Sequence, residues 1–399
     1  MSGFTKRLYE NELFDIKVMW NKQLKAIEPL LPQRYTEKDI IDLLKEFFPH
    51  EWDSVEIKKR YYDWKDKGLK NRSIKPRYKM PTAEKLLTEV PKFKHIMSDT
   101  IRKNWALNFD EEKQTCARKT LSAERQPKIE KINRKIEVAK SKVQLVTPRY
   151  LDKLIGLYER KNTTQKDRHY IIQELTKYYT PEIAKFFFKV NDTELNFELR
   201  EIAFNHLQSF NYAPKLRRQK YMICHAGNKK RKEHLKFEYA KEKTDLDFTP
   251  QGLAYRIKNS KEQQLKDYDF FISHSSKDRE SVQKLITYEN ECNKDIFCDW
   301  INDADYLKRN LVCEETLEII EIRLKQSRAL IFVDSKNSQE SVWCKYELNY
   351  FNELNKPVYI LSQSDIENGV FNLKNMDVKP YIDTNYKKLA LYEGRKIKG

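Results

Sequence analysis

The feature that most constrains the fold of this chain is a succession of four short apolar runs beyond residue 267. Residues 268–273 (YDFFIS), 295–300 (DIFCDW), 328–334 (RALIFVD) and 356–361 (KPVYIL) are separated by segments of helix length. Runs of that size alternating with helices predict βαβ units and a parallel sheet buried on both faces. An α/β domain of this size is commonly doubly wound. If its strand order is 2-1-3-4-5, the topological switch falls between the first and third strands, and a ligand binds outside their carboxyl ends. Those ends are the loop Ser273-His274-Ser275-Ser276-Lys277-Asp278 and the loop 335–341.

The chain before this domain reads as helical. Thr36 with Asp39 resembles a capping box, and Ile40, Leu43, Leu44, Phe47 and Phe48 follow at helical spacing up to Pro49. A second helix is expected from Trp52 to Trp64, stopping at Gly68; the pair is an αα-hairpin or, less commonly, a nucleic-acid-reading helix-turn-helix. Ile129, Ile132, Ile136, Ala139 and Val143 form an apolar seam of about two heptads, which predicts one amphipathic helix over 127–146. Several short helices then occupy 147–210, with Arg168 and Arg200 near helix starts, an alternation that looks like HEAT repeats. His206 lies on the apolar face of the last. Expected divisions are a basic helical domain 1–146, a HEAT-like segment 147–212, a basic loop and charged linker 213–266, and the α/β domain 267–399.

Charge is shared unequally between these parts. Residues 1–266 sum to +21 and the rest to −4, within a total of +17. The stretch 215–232 contributes eight Lys and Arg with no acidic residue, interleaved with Tyr221. Such a stretch tracks a phosphate backbone, or serves as a solvated loop or docking surface for an acidic domain. The 8 glycines fall so far apart that neither GxGxxG nor GxxxxGK[ST] can be written, which excludes the common dinucleotide and P-loop cradles. Six scattered cysteines, with no CxxC and no His at ligand spacing, indicate neither a disulfide framework nor a zinc site, and no metal is expected. The apolar runs are too short to span a membrane and no signal segment is evident, so a soluble, cytoplasmic protein is expected.

Two motifs give the α/β region a specific likeness. The run 268–278, YDFFISHSSKD, is similar to the opening strand and loop of TIR (Toll/interleukin-1 receptor) domains. The run 335–348, SKNSQESVWCKYEL, resembles their third-strand exit and following helix, with Trp343 and Glu347 matching the WxxxE pattern of bacterial members. Residues 298–305 resemble the start of the BB loop through which TIR domains stack, although no glycine or proline follows Trp300 where many such loops carry them. The resemblance covers about a third of the chain, and it implies a doubly wound, flavodoxin-like TIR domain behind an all-helical basic region: an α + α/β fold.

The resemblance also implies chemistry. In NAD-cleaving members the matching Glu is catalytic, so Glu347 is the expected catalytic residue and NAD+ the substrate, with no further cofactor. Rupture of the nicotinamide–ribose bond builds positive charge on the sugar, which one fixed carboxylate can stabilise. Trp343 is four residues from Glu347 and shares its helix face; with Ser273, Ser275, Ser276 and Asp278 it is an expected substrate contact. Asp299, Trp300, Asp303 and Tyr306, in the loop 299–312, are expected to mediate self-association. Ser338 or Ser341 is expected to cap a helix. The implied function is a bacterial antiphage NAD+ glycohydrolase assembled on a trigger, with nucleic acid or protein sensed by the basic region. A non-enzymatic TIR adaptor and a nucleic-acid-triggered switch are the competing readings.

Overall fold

The computed structural model describes residues 4–212, 229–230, 233, 244–307 and 313–381. The basic stretch 215–232, Tyr221 included, lies outside the described residues apart from 229–230, as do 308–312 of the loop after the second strand. Two compact units separate: the first holds 4–137 with 207–212, the second 138–206, 244–307 and 313–381. No described helix is long and apolar enough to cross a membrane.

The first unit is helical. Its helices are α1 (Phe4–Ile27), α2 (Glu37–Phe47), α3 (Pro49–Lys70), α4 (Ala83–Thr88), α5 (Pro91–Ile96) and α6 (Asp99–Leu107), with the start of α7 (Glu111–Lys140). The Thr36 backbone N–H donates to Asp39 at 2.7 Å, and Ile40, Leu43, Leu44 and Phe47 are buried as their spacing predicts. Helix α3 runs through Gly68 to Lys70 rather than stopping there. The seam around Ile129 belongs to a longer helix than expected: α7 begins at Glu111 and passes Pro127. A proline inside a helix leaves one carbonyl unbonded, and here Pro127 is exposed, where solvent can satisfy it.

In the second unit a helical module, α8 (Leu151–Glu159), α9 (Gln165–Leu175), α10 (Pro181–Thr193) and α11 (Phe197–Ser209) as far as His206, packs with the α/β domain. Arg200 is fully buried and donates to the Glu194 and Leu195 carbonyls, both at 2.9 Å. His206 is a core residue stacked on Phe187 at 4.1 Å, its pKa lowered to about 3 by burial. Two further helices, α12 (Pro250–Asn259) and α13 (Lys261–Gln264), lead into the sheet.

The sheet has the order β2-β1-β3-β4-β5. Strands β1 (Tyr268–Ser273), β2 (Ile296–Phe297), β3 (Ser327–Asp334) and β4 (Val358–Ser362) are parallel, and β5 (Lys374–Asn375) is a short antiparallel edge. Helices α14 (Arg279–Glu291), α15 (Asp299–Asn302), α16 (Glu314–Gln326), α17 (Lys336–Gln339), α18 (Val342–Glu353) and α19 (Gln363–Glu367) complete the alternation. Two apolar clusters sandwich the sheet, one around Phe271, Leu330 and Phe351 and the other around Ile272, Leu285 and Val333. The doubly wound sheet with its switch between β1 and β3 is the architecture the apolar runs imply.

Two polar devices join the module to the sheet. The Gln144 side chain accepts from the Ile296 N–H at 3.1 Å and donates to the Ile296 carbonyl at 2.5 Å, so one amide occupies the outer edge of β2. Deeper, Glu174 pairs with Lys177 at 3.0 Å and Lys266 at 2.8 Å, while Arg323 holds Asp303 at 2.8 Å. Gln263 bridges the two groups, donating to Glu174 at 3.1 Å and accepting from Arg323 at 2.8 Å. Burial alone would raise the Glu174 pKa, but the cations Lys177, Lys266 and Arg256 hold it well below its usual value. Burial and nearby Arg323 bring Lys266 down to about 8, which leaves it mostly charged at neutral pH.

Removing one partner of a buried ion pair leaves a bare charge and costs about 3–5 kcal/mol, whereas apolar replacement of both is far milder. Asp303→Asn should therefore destabilise the protein by that amount in denaturant melts, with Arg323→Met/Asp303→Leu recovering most of the loss. Equal destabilisation by the single and double variants would contradict this account.

Candidate active site

The carboxyl ends of β1 and β3 converge on Glu347. Helix α18, which carries it, is capped by Ser341, whose Oγ accepts from the Cys344 N–H. That start, and the helical repeat from Cys344 through Glu347 and Leu348 to Phe351, packs one side of α18 on the sheet. The fully buried Ser273, last residue of β1, donates its hydroxyl to Glu347 Oε2 at 2.6 Å. Glu347 is half-buried as a residue, but its carboxylate is withdrawn from water, and this burial pushes its pKa up to about 8. The Ser273 hydrogen bond acts in the opposite sense, favouring the charged form, and Asp299 adds to the rise.

Asp278 ties the two switch-point loops together. It accepts from Ser335 Oγ at 2.5 Å and Asn337 Nδ2 at 2.6 Å, and is buried. Both carboxylate oxygens are thus engaged within the protein. Ser275 caps the 3₁₀ turn Ser276–Asp278, and Ser276 is exposed. Trp343 packs into the helix–sheet core and against Leu317 and Tyr346. Ser335 caps α17 with Ser338 returning the bond, and Ser341 caps α18.

The loop after β2 departs from its expected use. Asp303 is fully buried in the pair with Arg323, and Tyr306 is buried with its hydroxyl accepting from Arg256 at 2.7 Å. Both side chains, expected at an assembly surface, are committed inside the protomer, because Arg323 of α16 and Arg256 of α12 draw them inward. Asp299 and Trp300 keep exposed surface, and Asp299 is close enough to the Glu347 carboxylate to raise its pKa. The Trp300 indole donates to His274 Nε2 at 3.1 Å, His274 Nδ1 meets the Ile272 carbonyl at 3.1 Å, and the Arg279 guanidinium lies 4.4 Å over the Trp300 ring.

This His274–Trp300–Arg279 group was not legible as a site, although His274 and Trp300 each stand just beyond adjacent strands. His274, Cys298 and Asp299 bring their ligating atoms within 4.8 Å of one another, but the Trp300 indole already engages His274 Nε2. Burial raises the thiols of Cys298 and Cys344, the latter to about 12, so both are protonated at neutral pH. A separate cleft of about 410 Å³ opens beside α18, lined by Phe332, Ser338, Cys344, Leu348 and Tyr381 among others. Its lining includes neither Ser273 nor Glu347.

A 2-1-3-4-5 sheet, with an acidic residue on α18 reaching the end of β1, is the arrangement that the resemblance to TIR domains implies. The family model described as "Thoeris protein ThsB, TIR-like domain" matches residues 271–365. The chain is 33% identical over 379 residues to the putative cyclic ADP-D-ribose synthase TIR2 of Cytobacillus dafuensis, covering 95% of this chain and 97% of that protein. It is 32% identical over 119 residues to the probable 3′ cyclic ADP-D-ribose synthase ThsB′ of Bacillus cereus, 29% of this chain and 61% of that protein. Human Toll-like receptor 2 is 30% identical over 105 residues, 25% of this chain and 13% of the receptor. No solved structure matches. The chain belongs to the bacterial Thoeris-type family of TIR proteins.

The Glu347 environment has a consequence for stability. A carboxyl whose pKa rises from 4.5 to about 8 on folding stabilises the fold below 4.5, and that contribution is lost as pH climbs to about 8. Glu347→Gln cannot ionise. Its melting temperature relative to wild type should climb between pH 4.5 and about 8 and then level off; a difference independent of pH would show that Glu347 is not desolvated.

Proposed function

We propose that this protein cleaves the bond between nicotinamide and ribose in NAD+ and closes the remaining ADP-ribose on itself. The observation that carries the reading is the Ser273–Glu347 hydrogen bond of 2.6 Å at the switch point, where an α/β sheet binds its ligand. As the C–N bond breaks, its electron pair passes to the pyridinium nitrogen, so nicotinamide leaves neutral and needs no proton donor. The positive charge left on the ribose is stabilised by Glu347 as its carboxylate. A nucleophilic atom of the same ADP-ribose then bonds to that carbon and gives up its proton; water in its place would yield linear ADP-ribose. The names of two relatives, both cyclic ADP-D-ribose synthases, favour the cyclised product.

In this reading Glu347 is catalytic and Ser273 positions its carboxylate. Ser275 and Ser276 face the ligand's polar groups, and Trp300 under Arg279 borders the site. Asp278 serves by fixing the two loops, and Trp343 by seating α18. The wider role is antiphage defence in the bacterial cytoplasm, with the basic helical region as sensor and TIR self-association as the activating step. Since Asp303 and Tyr306 are buried, self-association falls to Asp299, Trp300 and the remainder of the loop.

Chromatography with mass detection on NAD+ incubated with the full-length protein should find nicotinamide and a product one water lighter than ADP-ribose. Nicotinamide with linear ADP-ribose would replace the cyclising step by hydrolysis, and no nicotinamide under any trigger would favour a purely assembling adaptor. Glu347→Gln should lower nicotinamide release by about 100-fold or more. Because the ionised carboxyl is the working form, kcat/KM should rise with pH to about 8 and then level. Ser273→Ala, which removes a bond to the charged form, should move that inflection upward; an unchanged inflection would remove Ser273 from its assigned role.

A further inference from the structure

Within the first unit, α6 (Asp99–Leu107) is amphipathic by sequence and yet none of its residues is buried. Five of them, Asp99, Arg102, Lys103, Ala106 and Leu107, recur at intervals of three and four and so form one stripe. With Gln33, Arg34 and Tyr35 this stripe lines a groove of about 710 Å³. Leu107 is 84% exposed at one end, an unusual position for a large apolar side chain beside a cavity.

The groove is built rather than incidental. The Tyr35 hydroxyl donates to the Ile96 carbonyl at 2.7 Å, Arg102 Nη2 to the Tyr35 carbonyl at 2.9 Å, the Trp105 indole to the Pro32 carbonyl at 3.0 Å and Gln33 Nε2 to the Ala106 carbonyl at 3.1 Å. Three of these long-range bonds fix the 32–35 segment against α6, and the fourth ties Tyr35 to the end of α5. Arg34 and Lys103 are exposed and form no ion pair among the described residues. The lining carries three cations against the single carboxylate of Asp99.

We infer that this groove docks an acidic peptide segment of a partner protein, with one large apolar side chain seated against Ala106 and Leu107. Arg34 and Lys103 meet the peptide's carboxylates, while Arg102, already bonded to the wall, sets the potential between them. Eight residue steps of α6 span roughly 12 Å, which an extended peptide covers with about four residues. The ligand is accordingly a short linear segment. A nucleic-acid strand fits less well: it needs cations spaced along a phosphate track and exposed rings for its bases, whereas this lining is apolar at one end and holds its one aromatic, Tyr35, in the core.

The test is a selection of a short random peptide library on the full-length protein, followed by fluorescence anisotropy with labelled winners. Enriched sequences should carry paired Asp or Glu at a fixed distance from a Leu, Phe or Tyr, and should bind more weakly as salt rises. Arg34→Glu/Lys103→Glu should weaken binding about tenfold or more, Leu107→Ser should weaken it independently, and reversal of the exposed Lys131 should leave it unchanged. All these side chains are exposed, so circular dichroism should match wild type. The proposal is overturned by absence of any acidic–apolar enrichment, by binding indifferent to the Arg34/Lys103 reversal, or by oligo-deoxythymidine binding that the same reversal abolishes while the peptides fail.

Discussion

A buried pair, Arg323 with Asp303, is the constraint on which the second unit depends. Both side chains are completely inaccessible, and neither could be there without the other. The pair recruits further polar groups, Gln263 and Lys266 before the sheet and Glu174 and Lys177 from the helical module, until each charge has a partner. Four separate stretches of chain are thereby obliged to meet at one point. The loop after β2 is among them, and its fixed path leaves Asp299 near the carboxylate of Glu347. Geometry at the candidate site thus descends from charges placed away from it.

The sheet was legible because its information is local. Each strand is a short apolar run, each helix has its own stripe, and the order of the runs determines where the loops gather. Ser273 and Glu347 could be brought to one place from sequence because each follows from one motif and the switch-point rule joins them, but the complete burial of Ser273 and its bond to Glu347 could not. The ionic network was not legible for the converse reason. Glu174, Lys177, Lys266 and Arg323 each sit in a charged context that reads as solvated surface, and only long-range folding brings them together. The segment before the sheet read as a linker or bridging helix; α12 does bury Leu253, Ala254 and Ile257, but the burial of Arg256, Glu262 and Gln263 beside them is not something apolar periodicity registers. Tyr306 likewise read as an exposed loop residue until Arg256 was seen to hold its hydroxyl.

Proline and glycine misled in the first unit in a related way. Glycine costs a helix interior only about 1 kcal/mol and proline about 3 kcal/mol, and at the exposed positions of Gly68 and Pro127 the helix continues in spite of that cost. The long α7 buries only Leu121, so its persistence owes more to its continuity with packed segments than to its own apolar stripe.

The side chain of Gln144 has a consequence for how copies of this protein can meet. An open sheet ordinarily grows at its edge strands, whose free N–H and C=O groups accept a strand from a neighbour. At β2 the amide of Gln144 already makes both of those bonds, with Asn290 donating to Gln144 Oε1 at 3.3 Å behind it. The opposite edge is β5, two residues long and reversed in direction. Strand addition therefore has little purchase on this sheet, and any contact between copies would have to be made by loops and helix faces, which can part without unzipping a backbone ladder.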